Sequence, residues 1–164
     1  MKILGKFPST RLRRVRNSDW VRRLISESNL SANDFILPIF LTEGKNKKEK
    51  IKTMPGVFRY SLDKLSSILD EAEKFKIPMI ALFPNTSNHQ RDHNGSEALN
   101  EDNLVCRAIK LIKKKYNKFG VMTDVALDPY TSHGHDGIIL NGKIDNDETL
   151  KILEKQALLQ ASVG

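Results

Sequence analysis

The sequence predicts an α/β protein in which helices cover a largely parallel sheet. Three short apolar runs alternate with longer amphipathic stretches, and this order is typical of consecutive βα units. With 164 residues, of which 39% are hydrophobic, the chain is long enough to bury a core and to form one main domain.

The apolar runs are rich in Ile, Phe and Val and are expected to be buried strands. They are residues 35–41, 77–83 and 120–127. Apolar residues at spacings of three and four predict helices over residues 18–28, 61–75, 101–116 and 147–162. Ser61 is placed as an N-cap, and the lysines near residue 115 lie where a helix dipole favours positive charge.

The formal charge of +7 is concentrated at the N-terminus. Residues 1–23 carry eight Lys and Arg residues against one acidic residue, whereas the two signs balance over the rest of the chain. Such an arm could capture nucleic acid phosphates, but it offers only Phe7 and Trp20 for base stacking. The sequence therefore argues against nucleic acid as a partner and favours docking on an acidic surface of another subunit.

The composition predicts a cytoplasmic protein rather than a membrane or secreted one. No window approaches the roughly 18 consecutive apolar residues of a membrane span, and the N-terminus has no apolar block typical of a secretory signal. The single cysteine, Cys106, excludes an internal disulfide. It lies in the apolar stripe of a predicted helix, so we expect a buried core thiol rather than a reactive one.

The segment DVALDPYTSHGHDG, residues 124–137, concentrates side chains that could carry chemistry. Because side chains alternate along a strand, Asp124, Ala126 and Asp128 are expected on one face near its carboxyl end, where parallel sheets place binding residues. A carboxylate inside an apolar run is costly unless it is paired or protonated. Asp124 is therefore the leading candidate for a functional acid.

Structural explanations stay open for the neighbouring residues. Asp128 precedes Pro129 and could cap the next loop through backbone N–H bonds. His133 and His135 lack the helical i,i+4 spacing that is typical of zinc ligands and could belong to a glycine turn. The residues alone leave a metal site, an acid/base site and a surface turn as alternatives.

Together with several other motifs, this segment resembles the delta-aminolevulinic acid dehydratase, or porphobilinogen synthase, family. The motifs are RLRR at 11–14, MPGVFRYS at 54–61, FPNT at 83–86, GSEALNEDNLVCRAIKLIK at 95–113 and DVALDPYTSHGHDG at 124–137. The resemblance implies a (β/α)8 TIM barrel, of which this chain carries about the first three βα units. It also implies two parts, a basic arm with a helix at residues 1–30 and a barrel portion at residues 31–164.

The implied reaction is the condensation of two 5-aminolevulinate molecules to porphobilinogen with loss of water, in tetrapyrrole and haem biosynthesis. Asp124 matches an active-site aspartate that would orient a substrate amino group or exchange protons with it. The residues expected near the substrate are Tyr130, Thr131, Ser132 and His133. The arm residues Arg11, Arg13 and Arg14 would dock on a neighbouring subunit, since the family commonly forms octamers.

Zinc-dependent members of the family carry three cysteines where this chain has Ala126, Asp128 and Asp136. Carboxylates suit hard cations and do not replace thiolates on zinc. The resemblance therefore implies magnesium or a monovalent cation in the complete enzyme, rather than zinc. Asp128 and Asp136 are the candidate ligands.

The length of the chain and the positions of its lysines indicate that it is only part of an enzyme. A (β/α)8 barrel typically needs about 250 residues, and the resemblance places the family's two Schiff-base lysines on strands beyond this chain. None of the three predicted strands contains a lysine. We expect an N-terminal portion of the enzyme that is inactive alone. The alternatives are a half-barrel that acts as an assembly or interaction protein and, less favoured, a nucleic-acid binder.

Overall fold

The computed structural model describes residues 5–164. The chain divides into two compact units, Met1–Ser31 and Ala32–Gly164. The first unit contains a 3₁₀ turn at Arg14–Arg16 and helix α1 at Asp19–Leu24. This helix is shorter than predicted because Ser26 Oγ donates to the carbonyl of Ser28 (3.0 Å), a local bond that competes with helix continuation.

A five-stranded sheet forms the centre of the second unit. Its strands are β1 (Ile36–Thr42), β2 (Lys48–Lys50), β3 (Phe58–Tyr60), β4 (Met79–Asn85) and β5 (Gly120–Thr123). Their spatial order is β2-β3-β1-β4-β5. Strands β3, β1, β4 and β5 run parallel, and β2 is antiparallel to β3 at the edge. The parallel strands β1, β4 and β5 were predicted, whereas the short strands β2 and β3 were missed.

Two helices, α2 (Leu65–Lys74) and α3 (Leu104–Lys115), pack on one face of the sheet. Ser61 stands before the 3₁₀ turn that opens α2, but it does not cap the helix as predicted. Its hydroxyl donates to Asp63 Oδ1 (2.7 Å) and accepts from the Lys47 N–H (2.9 Å), which ties the helix start to the loop before β2.

The main core lies between this sheet face and the two helices. Alternate residues of β1 and β4 point into it, as strand geometry requires. The fully buried core side chains include Ile39, Leu41, Ile80, Leu82, Leu65, Leu69, Ile109 and Ile112. Cys106 is buried on α3, which confirms the prediction of a core thiol, and burial raises its pKa.

The third predicted strand is shorter than expected, and this changes the position of Asp124. Strand β5 ends at Thr123, which pairs with Leu82 of β4. Beyond it the predicted alternation of faces is wrong, because Ala126 and Leu127 are both buried while Asp124 is exposed. The reason is that the backbone beyond Thr123 leaves the sheet and bonds to a helix instead. Asp124 therefore follows the strand rather than lying within it.

The last part of the chain forms a hairpin and a long helix. The hairpin joins β6 (Ile138–Leu140) to β7 (Lys143–Asp145) through Asn141 and Gly142, both with positive φ (52° and 75°), as a two-residue hairpin turn requires. Helix α4 spans Asn146–Ser162, close to its predicted bounds. In the part of the chain that the structure describes, no helix is both long and apolar enough to span a membrane.

Candidate functional site

A cavity of about 210 Å³ opens at the carboxyl ends of the parallel strands, on the sheet face opposite the main core. It is lined by Phe40, Arg59, Phe83, Pro84, Asn85, Asp124, Asp128, Pro129 and Tyr130. Ligands of parallel α/β sheets bind at this end of the strands. The structure thus brings together three residues that were predicted for the site, Asp124, Asp128 and Tyr130.

The strand register explains why these side chains meet. Phe40 of β1 pairs with Arg59 of β3 on one side and with Phe83 of β4 on the other. The last pair of β4 and β5 is Leu82 with Thr123, so Asp124 follows in the row next to Phe83. The two phenylalanine rings lie 5.6 Å apart between centroids. The result is an apolar wall with a cation at one end and a carboxylate at the other.

The acidic residues of the motif influence one another. Burial and the negative charges of Asp136 and Asp124 raise the pKa of Asp128, against a smaller opposing effect of Arg91. One oxygen of Asp136 accepts a hydrogen bond from the Leu127 N–H, which fixes the turn. The charges of Asp124 and Asp136 therefore both disfavour the ionised form of Asp128, and a bound cation would favour it.

Tyr130 is 3% exposed, and burial raises the pKa of its hydroxyl. This group therefore stays protonated near neutral pH. Thr131 is also buried, but its hydroxyl donates to the carbonyl of His135 (2.9 Å) and shapes the turn. Neither Thr131, Ser132 nor His133 lines the cavity.

The histidines fasten loops together. His133 Nδ1 accepts from the His135 N–H (3.1 Å), so Nε2 carries the proton and donates to the carbonyl of His93 (3.2 Å). His93 Nε2 in turn lies 3.1 Å from the carbonyl of Ile139. Within residues 5–164, no group of three or more His, Cys, Asp or Glu side chains is placed to hold a metal ion.

The loop after β4 contributes an anchor that the sequence did not reveal. The Asp92 N–H donates to the carbonyl of Tyr130 (3.2 Å), and the Asp92 carbonyl accepts from the Ser132 N–H (2.8 Å). The Asp92 carboxylate accepts from the backbone N–H groups of Asn94 (2.9 Å) and Ser96 (3.0 Å). The Ser96 hydroxyl and these N–H groups lower the pKa of Asp92, so the anchor is charged at neutral pH.

Two glutamines of α4 were also missed. Gln156 and Gln160 are 0% and 6% exposed, and their side-chain amides donate to the carbonyls of Ala126 (3.2 Å) and Asp124 (3.1 Å). The available signal was a pair of amides at i and i+4 in an otherwise apolar stretch of helix. The cavity residues Arg59 and Phe83 lie in quoted motifs, but no sequence pattern places them beside Phe40, because only the strand register aligns the three.

Comparison with known proteins places the chain in a family. The sequence model of the family described as delta-aminolevulinic acid dehydratase matches residues 9–164. The protein of that name from Bradyrhizobium diazoefficiens is 52% identical over 154 residues, covering 94% of this chain and 44% of the relative. The one from Chlamydia pneumoniae is 41% identical over 156 residues, covering 95% and 47%.

A solved structure agrees with the sequence comparison. Delta-aminolevulinic acid dehydratase (porphobilinogen synthase) from Toxoplasma gondii ME49, in complex with the reaction product porphobilinogen, superposes with a TM-score of 0.88 at 36% identity. The match covers 94% of this chain and 44% of that one. The chain thus spans just under half the length of these relatives.

The comparisons also bear on the fold. Strands β1, β4 and β5 and the helices that follow them form three βα units, and the similar structure is that of a TIM-barrel enzyme, so the predicted fold class is confirmed. The chain belongs to the delta-aminolevulinic acid dehydratase family.

Proposed function

We propose that this chain provides part of the substrate site of a porphobilinogen synthase, which condenses two 5-aminolevulinate molecules to porphobilinogen with loss of water. The observation that carries the proposal is the row from Arg59 through Phe40 and Phe83 to Asp124 at the carboxyl ends of the strands. 5-Aminolevulinate has a carboxylate at one end, an ammonium group at the other and a short chain between them. The row offers a partner of matching chemistry to each part.

Five of the lining residues then have a role in binding the substrate. Asp124 holds the ammonium group and exchanges protons with it, and the protonated Tyr130 hydroxyl donates a hydrogen bond. Phe40 and Phe83 exclude water along the substrate chain, which strengthens the charged contacts. Arg59, the one basic side chain of the lining, attracts the carboxylate.

Among the described residues, 5–164, no lysine lines this cavity. Schiff-base formation needs an amine whose pKa is lowered by burial or by a neighbouring cation. We therefore expect the 164-residue chain to bind 5-aminolevulinate reversibly and not to form porphobilinogen on its own. Borohydride reduction in the presence of substrate is expected to leave no covalent adduct on a lysine.

For the cation we propose magnesium or a monovalent ion, rather than zinc, at Asp128 and Asp136. Magnesium is often held by one or two carboxylates and keeps several waters, so two aspartates suffice as protein ligands. The negative charge of Asp136 raises the pKa of Asp128, and this electrostatic contact supports the choice of the two residues as a pair. A bound cation there would neutralise the acidic end of the site.

For the arm we propose docking on a second copy of the chain. The first unit exposes a set of large apolar side chains among its basic residues: Phe7, Leu12, Trp20, Leu24 and Leu30. Arg11, Arg13 and Arg14 are exposed beside them. Light scattering is expected to show an oligomer, and replacing the three arginines by glutamate is expected to lower its mass. An unchanged mass would argue against the arm as an interface.

The substrate proposal is tested by calorimetric titration with 5-aminolevulinate. Asp124→Asn is expected to weaken binding about 10-fold or more, because a hydrogen bond to a charged group contributes about 1.5–3 kcal/mol. Glu154→Gln is the control, since it removes one negative charge from an exposed position on α4. Wild-type chain that does not bind, or an Asp124→Asn variant that binds equally well, would contradict the proposal.

A further inference from the structure

We infer that α4 is a positioning helix, whose buried polar side chains hold the backbone of residues 123–138 and thereby set the direction of the Asp124 side chain. The inference rests on the proposed function for the role of Asp124. Its structural part, the control of the backbone by α4, stands on contacts that are independent of any ligand.

The most deeply buried side chains of α4 are polar, whereas the apolar Ile152 and Leu153 on the same side of the helix are only partly buried. Its buried residues are Thr149, Gln156 and Gln160, while Leu150 and Leu158 are 54% and 64% exposed. The spacings of seven and four residues place the three polar side chains on one stripe of the helix. Burying an amide costs free energy unless it is hydrogen-bonded, so this face requires polar partners.

Those partners are backbone groups of the site segment. Gln160 accepts from the Thr123 hydroxyl (2.8 Å) through Oε1 and donates to the Asp124 carbonyl (3.1 Å) through Nε2. Both contacts fall where β5 ends and the chain leaves the sheet. Gln156, one turn earlier, donates to the carbonyl of Ala126 (3.2 Å).

Thr149 supplies a third point of attachment. Its hydroxyl accepts from the Ile138 N–H (2.9 Å) and donates to the carbonyl of Asp145 (2.6 Å). The helix thus holds the segment that contains Asp124, Asp128 and Tyr130 at its first residues, Thr123 to Ala126, and at its end, Ile138. Each attachment fixes the direction of a peptide group, which apolar packing alone does not do.

Stability does not explain this choice of residues. In the described part of the chain, Gln156 Oε1 is buried and has no hydrogen-bond partner. A buried acceptor without a partner is destabilising. An apolar side chain of similar shape would remove this cost but would leave the Ala126 carbonyl without its donor, so the two effects oppose each other. Gln156 and Gln160 hold the carbonyls of Ala126 and Asp124, which lie on either side of Val125. An apolar residue would not hold them. The direction of the Asp124 Cα–Cβ bond depends on these hydrogen bonds.

The test compares Gln160→Met with Leu158→Met in the 164-residue chain. Gln160→Met removes both hydrogen bonds at similar volume, and Leu158→Met alters an exposed position two residues away on another face of the helix. We expect Gln160→Met to shift the Asp124 carbonyl resonance, to average the Hα–Hβ couplings of Asp124 and to weaken 5-aminolevulinate binding about 5-fold, the equivalent of one hydrogen bond. Leu158→Met is expected to change none of these.

A measurement on the unmodified chain keeps the inference testable if Gln160→Met does not fold. Scalar couplings through the hydrogen bonds are expected between Gln160 Nε2 and the Asp124 carbonyl carbon, and between Gln156 Nε2 and that of Ala126. Absent couplings, or unchanged Asp124 couplings in a folded Gln160→Met variant, overturn the inference. If the couplings are present and 5-aminolevulinate does not bind, the substrate proposal fails and the positioning of the Asp124 backbone by α4 is supported.

Discussion

Helices α3 and α4 both bury one face in the same unit, but they do so with opposite chemistry. The buried residues of α3 are Leu104, Val105, Cys106, Ala108, Ile109 and Ile112, whereas those of α4 are Thr149, Gln156 and Gln160. The first set removes apolar surface from water, which is the main source of folding free energy. The second set makes hydrogen bonds whose net contribution is small but whose geometry is specific.

The two helices therefore serve different purposes: α3 stabilises the fold, and α4 positions the backbone of the site. The face of α3 stabilises the sheet and tolerates changes that conserve volume. The face of α4 determines where the backbone beyond β5 goes, and with it the acidic end of the cavity. Substitutions on α3 are therefore expected to change mainly the free energy of unfolding, and substitutions on α4 mainly the geometry of the site.

The largest effect is expected for Ile112→Ala on α3. Ile112 is 0% exposed, so truncation leaves a cavity and is expected to lower the free energy of unfolding by about 2–5 kcal/mol. Leu150→Ala on α4 is the control, because Leu150 is 54% exposed and the change is expected to stay within about 0.5 kcal/mol. Urea denaturation measures both. Similar losses for the two variants would contradict the comparison.

A smaller effect is expected for Gln156→Met. The change removes the bond to the Ala126 carbonyl, but it also removes the buried Oε1 that lacks a partner in the described residues. The two contributions oppose each other, so the free energy of unfolding is expected to change by no more than about 1 kcal/mol. A loss of about 3 kcal/mol or more in urea denaturation would show that the polar face of α4 is a source of stability.

The smallest effect is expected for Asp128→Asn and depends on pH. Burial and the charges of Asp136 and Asp124 raise the pKa of Asp128, so the folded state binds this proton more tightly than the unfolded state does. The stabilising contribution of the protonated carboxyl is present below the ordinary value of 3.8 and is lost as the pH rises through the raised value.

Asp128→Asn is therefore expected to exceed the wild type in stability at neutral pH, by up to about 1 kcal/mol for such a partly exposed site. The difference is expected to vanish in acid. Thermal unfolding across pH in metal-free buffer measures it, with Glu154→Gln as the control at an exposed position. A difference that grows on acidification would contradict the assigned repulsion.

The same contrast explains how much the sequence could predict. The apolar periodicity of α3 and of strands β1 and β4 reports burial directly, so the parallel sheet and its main core were predictable. The path of the segment after Thr123 was not predictable. Its apolar residues continue the alternation of a strand, whereas its backbone carbonyls accept hydrogen bonds from side chains of α4. The path of this backbone depends on Gln156 and Gln160, which lie 30 and 36 residues from the carbonyls that they bind.

The candidate site was predictable to a similar extent. The motif at residues 124–137 singled out Asp124, Asp128 and Tyr130, all of which line the cavity. Arg59, Phe40 and Phe83 come from three different strands, and only the register of the sheet places them in one row. A local sequence pattern carries no information about alignment across strands. It likewise does not show that the Asp92 backbone bonds to Tyr130 and Ser132.

The most direct test compares Ile112→Val with Gln160→Met and measures two properties of each, the free energy of unfolding and the affinity for 5-aminolevulinate. Ile112→Val is expected to lose about 0.5–1.5 kcal/mol of stability through lost packing in the core, with affinity unchanged. Gln160→Met is expected to lose affinity about 5-fold, the worth of one hydrogen bond, with a comparable or smaller loss of stability. If the affinities of both variants fall in proportion to their stabilities, α4 has no positioning role distinct from that of the core.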